Sequence, residues 1–213
     1  MRRKPAQTNL CRYFNMDIIS KYDQAAVGWD KKVLRMGYSS AYQEFLQGHI
    51  EALQPVLDIG TGTGLFADAW LAAGGSRKLT LIEPSVPMLR VARARFATAS
   101  IPVEGIATTL ENYRPTHSFH TVLAAHAIEH CDDPARAMGK LSKCLCPNGK
   151  LILVVSKPHW CNWFIWLRYR HRWYAPEALR QWAHAAGLDH VTTHTFTSGP
   201  PSRTSLGYVF AKP

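Results

Sequence analysis

No apolar run in the chain approaches the ~20 residues that cross a bilayer, so a helical membrane-spanning protein is excluded. No apolar stretch follows the basic opening MRRKPAQ, and a cleaved secretory leader is therefore not expected. Cysteine is scarce: five residues, an odd number without a Cys-x-x-Cys pair, argue against a disulfide framework and against structural zinc. Internal repeats, low-complexity tracts and Ser/Gly linkers are missing as well. Acidic residues are few, 15 against 25 Lys and Arg, which leaves a formal charge of +10. What is present is globular: 213 residues, 46% hydrophobic, enough to bury the core of one large α/β domain. These features point to a soluble cytoplasmic protein. The charge fits an anionic partner or a solvated surface.

From about residue 54 to 155, short apolar runs alternate with helical patterns. The runs are PVLDIG (55–60), KLTLIE (78–83), IPVEGIA (101–107), FHTVLAA (119–125) and KLILVV (150–155). Several are apolar on both faces, as strands inside a parallel sheet are. Ser85 is placed to cap a helix carrying Pro87 in its first turn, and Asp133-Pro134 opens another, which stops at Pro147-Asn148-Gly149. Residues 16–53 read as helical. A late helix starts at Pro176, and HVTTHTF (190–196) and SLGYVFA (205–211) read as two last strands around the turn-rich SGPPSRT. The alternation predicts a doubly wound α/β sheet, with ligands at the carboxyl ends of its strands.

The sharpest signal is VLDIGTGTGLF (56–66). A buried strand ends near Asp58, then Gly60, Gly62 and Gly64 alternate before a helix begins. Glycines there allow a tight turn and a close backbone approach, and the helix start offers unpaired N–H groups. The next strand ends in Glu83, 19 residues beyond Gly64, where a carboxylate accepts hydrogen bonds from both ribose hydroxyls of a nucleoside. The spacing is GxGxG, not the dinucleotide GxGxxG, and an acid precedes it. A carboxylate repels a pyrophosphate and attracts a cation, which favours a positively charged nucleoside.

These motifs resemble those of the class I S-adenosylmethionine-dependent methyltransferases, in their small-molecule, quinone-type branch. VLDIGTGTG resembles the first motif of that family, LIEPSVPML (81–89) the second, and FHTVLAAHAIEH (119–130) the fourth-strand motif. KYDQAAVGWD (21–30) is similar to the N-terminal cofactor cover, and YAPEALRQWAHAAGL (174–188) to the late helix. The resemblance implies a Rossmann-like, mostly parallel seven-stranded sheet with an antiparallel last strand. Residues 1–53 would form a basic arm and helical cap, and residues 54–213 the cofactor-binding domain, with a lid at about 157–174. It implies S-adenosylmethionine as cofactor, with Asp58 and the loop Gly60, Thr61, Gly62 and Gly64 at its methionine portion. Glu83 and Pro84 would lie at the ribose, Met88 at adenine, and Ala124 and His126 along the cofactor site. The family's adenine-binding Asp after the third strand is replaced by Ile106, so either the Ala107 backbone and the Thr108 side chain are expected to serve there, or adenine is held mainly by apolar contacts.

Methyl transfer asks chiefly that acceptor and methyl group be held in line within ~3–3.5 Å. A base is needed only where the acceptor must lose a proton. The candidates are His126, Glu129 and His130, at or just after the fourth strand. Two histidines without a third ligand at useful spacing exclude a zinc site, and no metal is expected. The Asn/Asp-Pro-Pro-aromatic turn of amino-methyltransferases acting on bases is missing, since the segment reads AAHAIEH. No Pro-Cys context supports cytosine chemistry at Cys131 either.

KPHWCNWFIWLRYRHRWY (157–174) carries Trp160, Trp163, Phe164 and Leu167 on one helical face, with Arg168, Arg170 and Arg172 alongside. Core, acceptor wall and lipid-water boundary are its three readings. Tyr22 and Trp29 in the cover, with Trp160, Trp163 and Arg168, are the expected substrate-binding residues. The primary reading is a methyltransferase for a small, apolar, aromatic or amphipathic acceptor. An RNA-directed enzyme and a non-catalytic cofactor-binding protein are the alternatives. The basic arm, residues 31–35 and the 168–172 row border the expected cleft, whereas Arg90, Arg93 and Arg95 are expected to be solvated. That distribution favours an anionic group or an acidic membrane surface over nucleic acid, and leaves the oligomeric state open.

Overall fold

The computed structural model describes residues 19–26, 28–29, 33–50, 54–160 and 172–213. Its seven strands are β1 (Val56–Ile59), β2 (Leu79–Ile82), β3 (Val103–Ile106), β4 (Phe119–Ala125), β5 (Leu145–Ser156), β6 (Asp189–His194) and β7 (Ser205–Ala211). They form one sheet in the order β3-β2-β1-β4-β5-β7-β6, parallel except for β7, which runs antiparallel to both its neighbours. The VLDI and LTLI strands are buried along their whole length, which explains why they read as continuous apolar runs rather than alternating ones.

The helices are α1 (Tyr38–Leu46), α2 (Leu65–Ala72), α3 (Val86–Thr98), α4 (Pro134–Cys144), α5 (Pro176–Ala185) and α6 (Gly199–Thr204), and residues 19–26 are helical too. Ser85 and Asp133 cap α3 and α4, accepting the amides of Met88 at 3.3 Å and Arg136 at 3.0 Å. Each face of the sheet carries its own core. Phe45, Trp70 and Phe96 from α1, α2 and α3 fill one side, and Met138, Leu141 and Leu179 from α4 and α5 the other. α1 therefore packs into the same core as the helices of the expected cofactor domain.

Three local expectations change. The Pro147-Asn148-Gly149 turn lies within β5, where Asn148 has φ +60° and the register with β4 shifts between Phe119 and Thr121. SGPPSRT, expected as a turn, contains the short helix α6. Arg95 is not solvated as expected: it donates to Thr63 O at 3.0 Å and pairs with Asp68 at 3.0 Å, whereas Arg90 and Arg93 are exposed, Arg93 donating to the Gly105 carbonyl. A guanidinium on a long stem reaches the neighbouring loop from a helix face that sequence periodicity places toward solvent.

Candidate active site

β1 has β2 on one side and β4 on the other, so the chain leaves in both directions from this point. A crevice opens at the carboxyl ends of such strands. Here it is a cleft of about 360 Å³. Its walls come from the glycine loop, the ends of β2, β4 and β5, residues 108–111, α1, α6 and the N-terminal helical residues.

The glycine loop is held from beneath. Gly60 and Thr61 donate their amides to Ile82 O at 2.8 and 3.0 Å, which bends the chain back over β2. Gly60 has φ +65°, and a Cβ there would stand 2.7 Å from Ala127 Cβ, so this position is closed to any side chain. Glu83 accepts the amides of Gly62 and Ser85, both at 2.9 Å. Burial raises the Glu83 carboxyl above its ordinary range, against those two amides, and the charge of Asp23 adds to the rise. Asp23 itself bonds Ser85 Oγ, so the helical residues over the cleft are tied to the start of α3.

Asp58 lies one layer below the cleft. Its Oδ2 accepts Thr61 Oγ1 at 2.6 Å, and its Oδ1 is buried with no hydrogen-bond partner among the described residues. Burial pushes the carboxyl up to about 7; the Thr61 bond opposes the rise and the Glu83 charge adds to it. A buried acid with an unsatisfied oxygen, a second carboxylate above it and a backbone cradle that excludes any Cβ suit a cationic nucleoside. The residues fit S-adenosylmethionine on that chemistry.

β4 is followed by His126, a non-glycine residue at φ +54° whose amide donates to Val154 O at 2.8 Å. His126 Nδ1 lies 3.0 Å from Glu129 Oε1 and 3.3 Å from Ser156 Oγ, and Nε2 lies 3.4 Å from Ser205 Oγ. Glu129 Oε1 also accepts the Ser156 amide at 2.8 Å, which fixes the carboxylate against β5. His130, a few residues on, has Nε2 3.0 Å from the Tyr22 hydroxyl, and Tyr22 makes edge contacts with both His130 and Trp29. Burial drops the His130 imidazole to about 4, outweighing the attraction of Glu129; the charges of His126 and Arg172 lower it further. Arg172 donates to the carbonyls of Cys131 and Asp132 at 3.1 and 3.0 Å, so it braces the turn after β4 rather than facing a ligand.

Among the expected site residues, Gly60, Thr61, Gly62, Glu83, Pro84, Met88, Thr108, His126, His130, Tyr22 and Trp29 line the cleft. Asp58, Gly64 and Glu129 stand behind the lining. Ala107 is not on it, and its neighbours Thr108, Thr109, Leu110 and Glu111 are. Ala124 points into the core; the cleft residue of β4 is Ala125. Trp160 is 71% exposed and away from the cleft. Trp163 and Arg168 lie outside the described residues. The sequence reading missed Tyr38, Tyr42, Ser156, Pro200 and Thr204, all on the cleft wall. Tyr38, Ser156 and Thr204 carry one local signal, a polar residue at a helix or strand end; Tyr42 and Pro200 carry none.

Residues 28–193 match a family model described as a methyltransferase domain. Curated relatives include the ubiquinone biosynthesis O-methyltransferase of Rhodopseudomonas palustris (strain HaA2), 28% identical over 60% of this chain and 50% of that protein. The demethylmenaquinone methyltransferase of Chlamydia pneumoniae is 28% identical over 70% of this chain and 62% of its own length. The chain thus spans between half and about three-fifths of these two relatives. Among solved structures, the Burkholderia thailandensis 1,6-didemethyltoxoflavin-N1-methyltransferase, with bound 1,6-didemethyltoxoflavin and S-adenosylhomocysteine, superposes with a TM-score of 0.73. It is 16% identical and aligns over 100% of this chain and 92% of its own, a likeness of fold. The chain belongs to the methyltransferase domain family, the S-adenosylmethionine-dependent methyltransferases of class I.

Proposed function

We propose that the protein methylates a hydroxyl group on a small, apolar aromatic acceptor, with His126 as the proton acceptor and Glu129 orienting it. One observation carries the reading: His126, on the cleft wall, has Nδ1 3.0 Å from a buried carboxylate. A hydroxyl must lose a proton as its oxygen is methylated, and an imidazole so oriented suits that task. S-adenosylmethionine, when bound, supplies an electrophilic methyl group whose bond to sulfur breaks, its electron pair staying on sulfur, as the acceptor oxygen bonds the carbon. Glu83 and the Gly60–Gly64 loop hold the nucleoside and methionine ends, with Met88 and Thr108 beside the adenine. Tyr22, Trp29, Met36 and Tyr38 offer the acceptor an apolar, aromatic wall. His130, kept neutral and already engaged by Tyr22, shapes that wall rather than moving protons. The curated relatives named as ubiquinone biosynthesis O-methyltransferases support an oxygen acceptor. The segment read for peripheral membrane contact, residues 157–174, is described only at 157–160 and 172–174, and among the described residues no helix is long and apolar enough to cross a membrane.

The test sets a panel of catechols and simple phenols against primary amines, with S-adenosylmethionine as donor. On a catechol, His126→Ala should lower kcat by about 10²–10⁴ with cofactor affinity retained. Equal turnover by wild type and variant, or turnover of amines alone, would sink the reading.

A further inference from the structure

We infer that Ser205 and Thr204 are positioning residues that let the His126 ring change protonation state without leaving a buried hydrogen unpaired. The inference rests on the reading of His126 as proton acceptor and adds the two hydroxyls that make the ring reversible.

The hydrogens can be assigned one by one. A carboxylate only accepts, so Glu129 Oε1 places the ring proton of neutral His126 on Nδ1 and the lone pair on Nε2. Thr204 Oγ1 donates to the Pro200 carbonyl at 2.9 Å, which commits its one proton. Its lone pairs therefore face the Tyr38 hydroxyl and Ser205 Oγ, each at 3.2 Å, as acceptors. Ser205 is fully buried and has a single proton, with His126 Nε2 at 3.4 Å, Thr204 Oγ1 at 3.2 Å and the Tyr38 hydroxyl, itself a donor to Thr204, in reach.

With the ring neutral, Ser205 donates to Nε2. When the acceptor hydroxyl approaches, Ser205 turns its proton to Thr204 and releases the Nε2 lone pair. As the acceptor oxygen takes up the methyl group, its proton moves to Nε2. The new Nε2–H then donates to Ser205 Oγ, whose own proton already sits on Thr204. One hydroxyl rotates, no heavy atom moves, and no buried polar group loses its partner in either state. The proton then leaves to solvent once the methylated product has left the cleft.

Other titratable groups surround this ring and stay the same in every variant below. Glu129 sits on its own turn, His130 follows it, and Tyr38 from α1 makes an edge contact at 6.0 Å. β5 and β7 bring the hydroxyls of Ser156 and Ser205.

The experiment follows the His126 ring by NMR in the full chain labelled on histidine, with no acceptor present; His126→Gln identifies its signals. Without the Thr204 hydroxyl, a protonated ring would leave one hydrogen of the Ser205–Tyr38 pair buried and unpaired. Thr204→Val should therefore move His126 protonation down by about one pH unit, the size of one lost buried hydrogen bond. Thr204→Ser should behave as wild type. In a Ser205→Ala background, Thr204→Val should no longer shift the ring, because Ser205 is the hydroxyl that couples the ring to position 204. Should Thr204→Val fail to give a folded spectrum, Thr204→Ala removes the same hydroxyl and is read instead. An unchanged ring in the Val or Ala variant overturns the inference, and so does an equal shift with Ala at position 205. Because no methyl transfer is measured, these results stand apart from the catechol assay: a working relay with an unaffected His126→Ala turnover rejects the base, not the relay.

Discussion

Glu83 Oε2 accepts the Gly62 amide at 2.9 Å, so the acidic end of β2 and the glycine loop after β1 form one unit. The second oxygen takes the Ser85 amide, and an ionised carboxylate still has lone pairs for a ribose diol. Glu83→Ala therefore removes both the ligand's partner and the brace on the loop. Calorimetry with S-adenosylmethionine should show affinity falling by at least about tenfold, one charge-assisted hydrogen bond's worth. Gly62→Val should weaken binding for a different reason. A Cβ there meets nothing within 4 Å, but the residue sits at φ +55°, which a β-branched side chain resists. Wild-type affinity in both variants would overturn the cofactor site.

The loop and its carboxylate were legible because a parallel strand, a glycine turn and an acidic strand end are local patterns separated by a short crossover. The same holds for the Ser85 and Asp133 caps. The rest of the cleft wall was not legible, since Tyr38, Ser156 and Thr204 meet only after β5, α6 and β7 close around β4. Tyr38 and Thr204 are 166 residues apart, and no window of sequence relates them. Ala125 rather than Ala124 faces the cleft because a one-residue difference in a strand turns the side chain to the other face.

Two buried groups pull stability in opposite directions with pH. Asp58 rises from 3.8 to about 7 in the folded chain, so the folded state holds a proton that the unfolded chain gives up between those values. Its contribution is full below pH ~3.8 and is lost as pH rises towards 7, by up to about 4 kcal/mol. His130 falls from 6.5 to about 4, so its contribution is full above pH ~6.5 and is lost as pH falls towards 4. Denaturant titrations of wild type and Asp58→Asn should expose the first effect alone. The variant should gain stability relative to wild type as pH rises from 4 to 7. A constant difference across that range would show that Asp58 is ionised throughout.

Arg95 should matter where Arg90 does not. Arg95 joins α3 to the Thr63 carbonyl and to Asp68, with its own side chain 18% exposed and that of Asp68 43% exposed. The half-open ion pair adds little, and the partly buried charge-assisted bond to Thr63 sets the size of the effect. Arg95→Ala should destabilise the fold by about 1–2 kcal/mol and weaken cofactor binding through the loop. Arg90 is exposed, and Arg90→Ala should leave both unchanged. Matching melting curves for the two variants would remove Arg95 from the loop's support.

Tyr22 and Asp23 are consecutive, yet they tie the same helical residues to opposite sides of the cleft. The Tyr22 hydroxyl reaches His130 beside the expected acceptor, and Asp23 reaches Ser85 beside the expected nucleoside. Loss of either tether should therefore be read by a different ligand. Tyr22→Phe keeps the ring contacts with Trp29 and His130 and removes one hydrogen bond of about 0.5–1.5 kcal/mol. It should raise KM for a catechol severalfold and leave S-adenosylmethionine affinity near wild type. Asp23→Ala should do the reverse: the Ser85 cap on Met88 remains, but the cover over the nucleoside loses its anchor, and cofactor dissociation quickens. Stopped-flow cofactor release and acceptor KM, measured on both variants, decide the point. Identical responses would mean that the cover moves as one rigid piece, and the two tethers would then be a single latch.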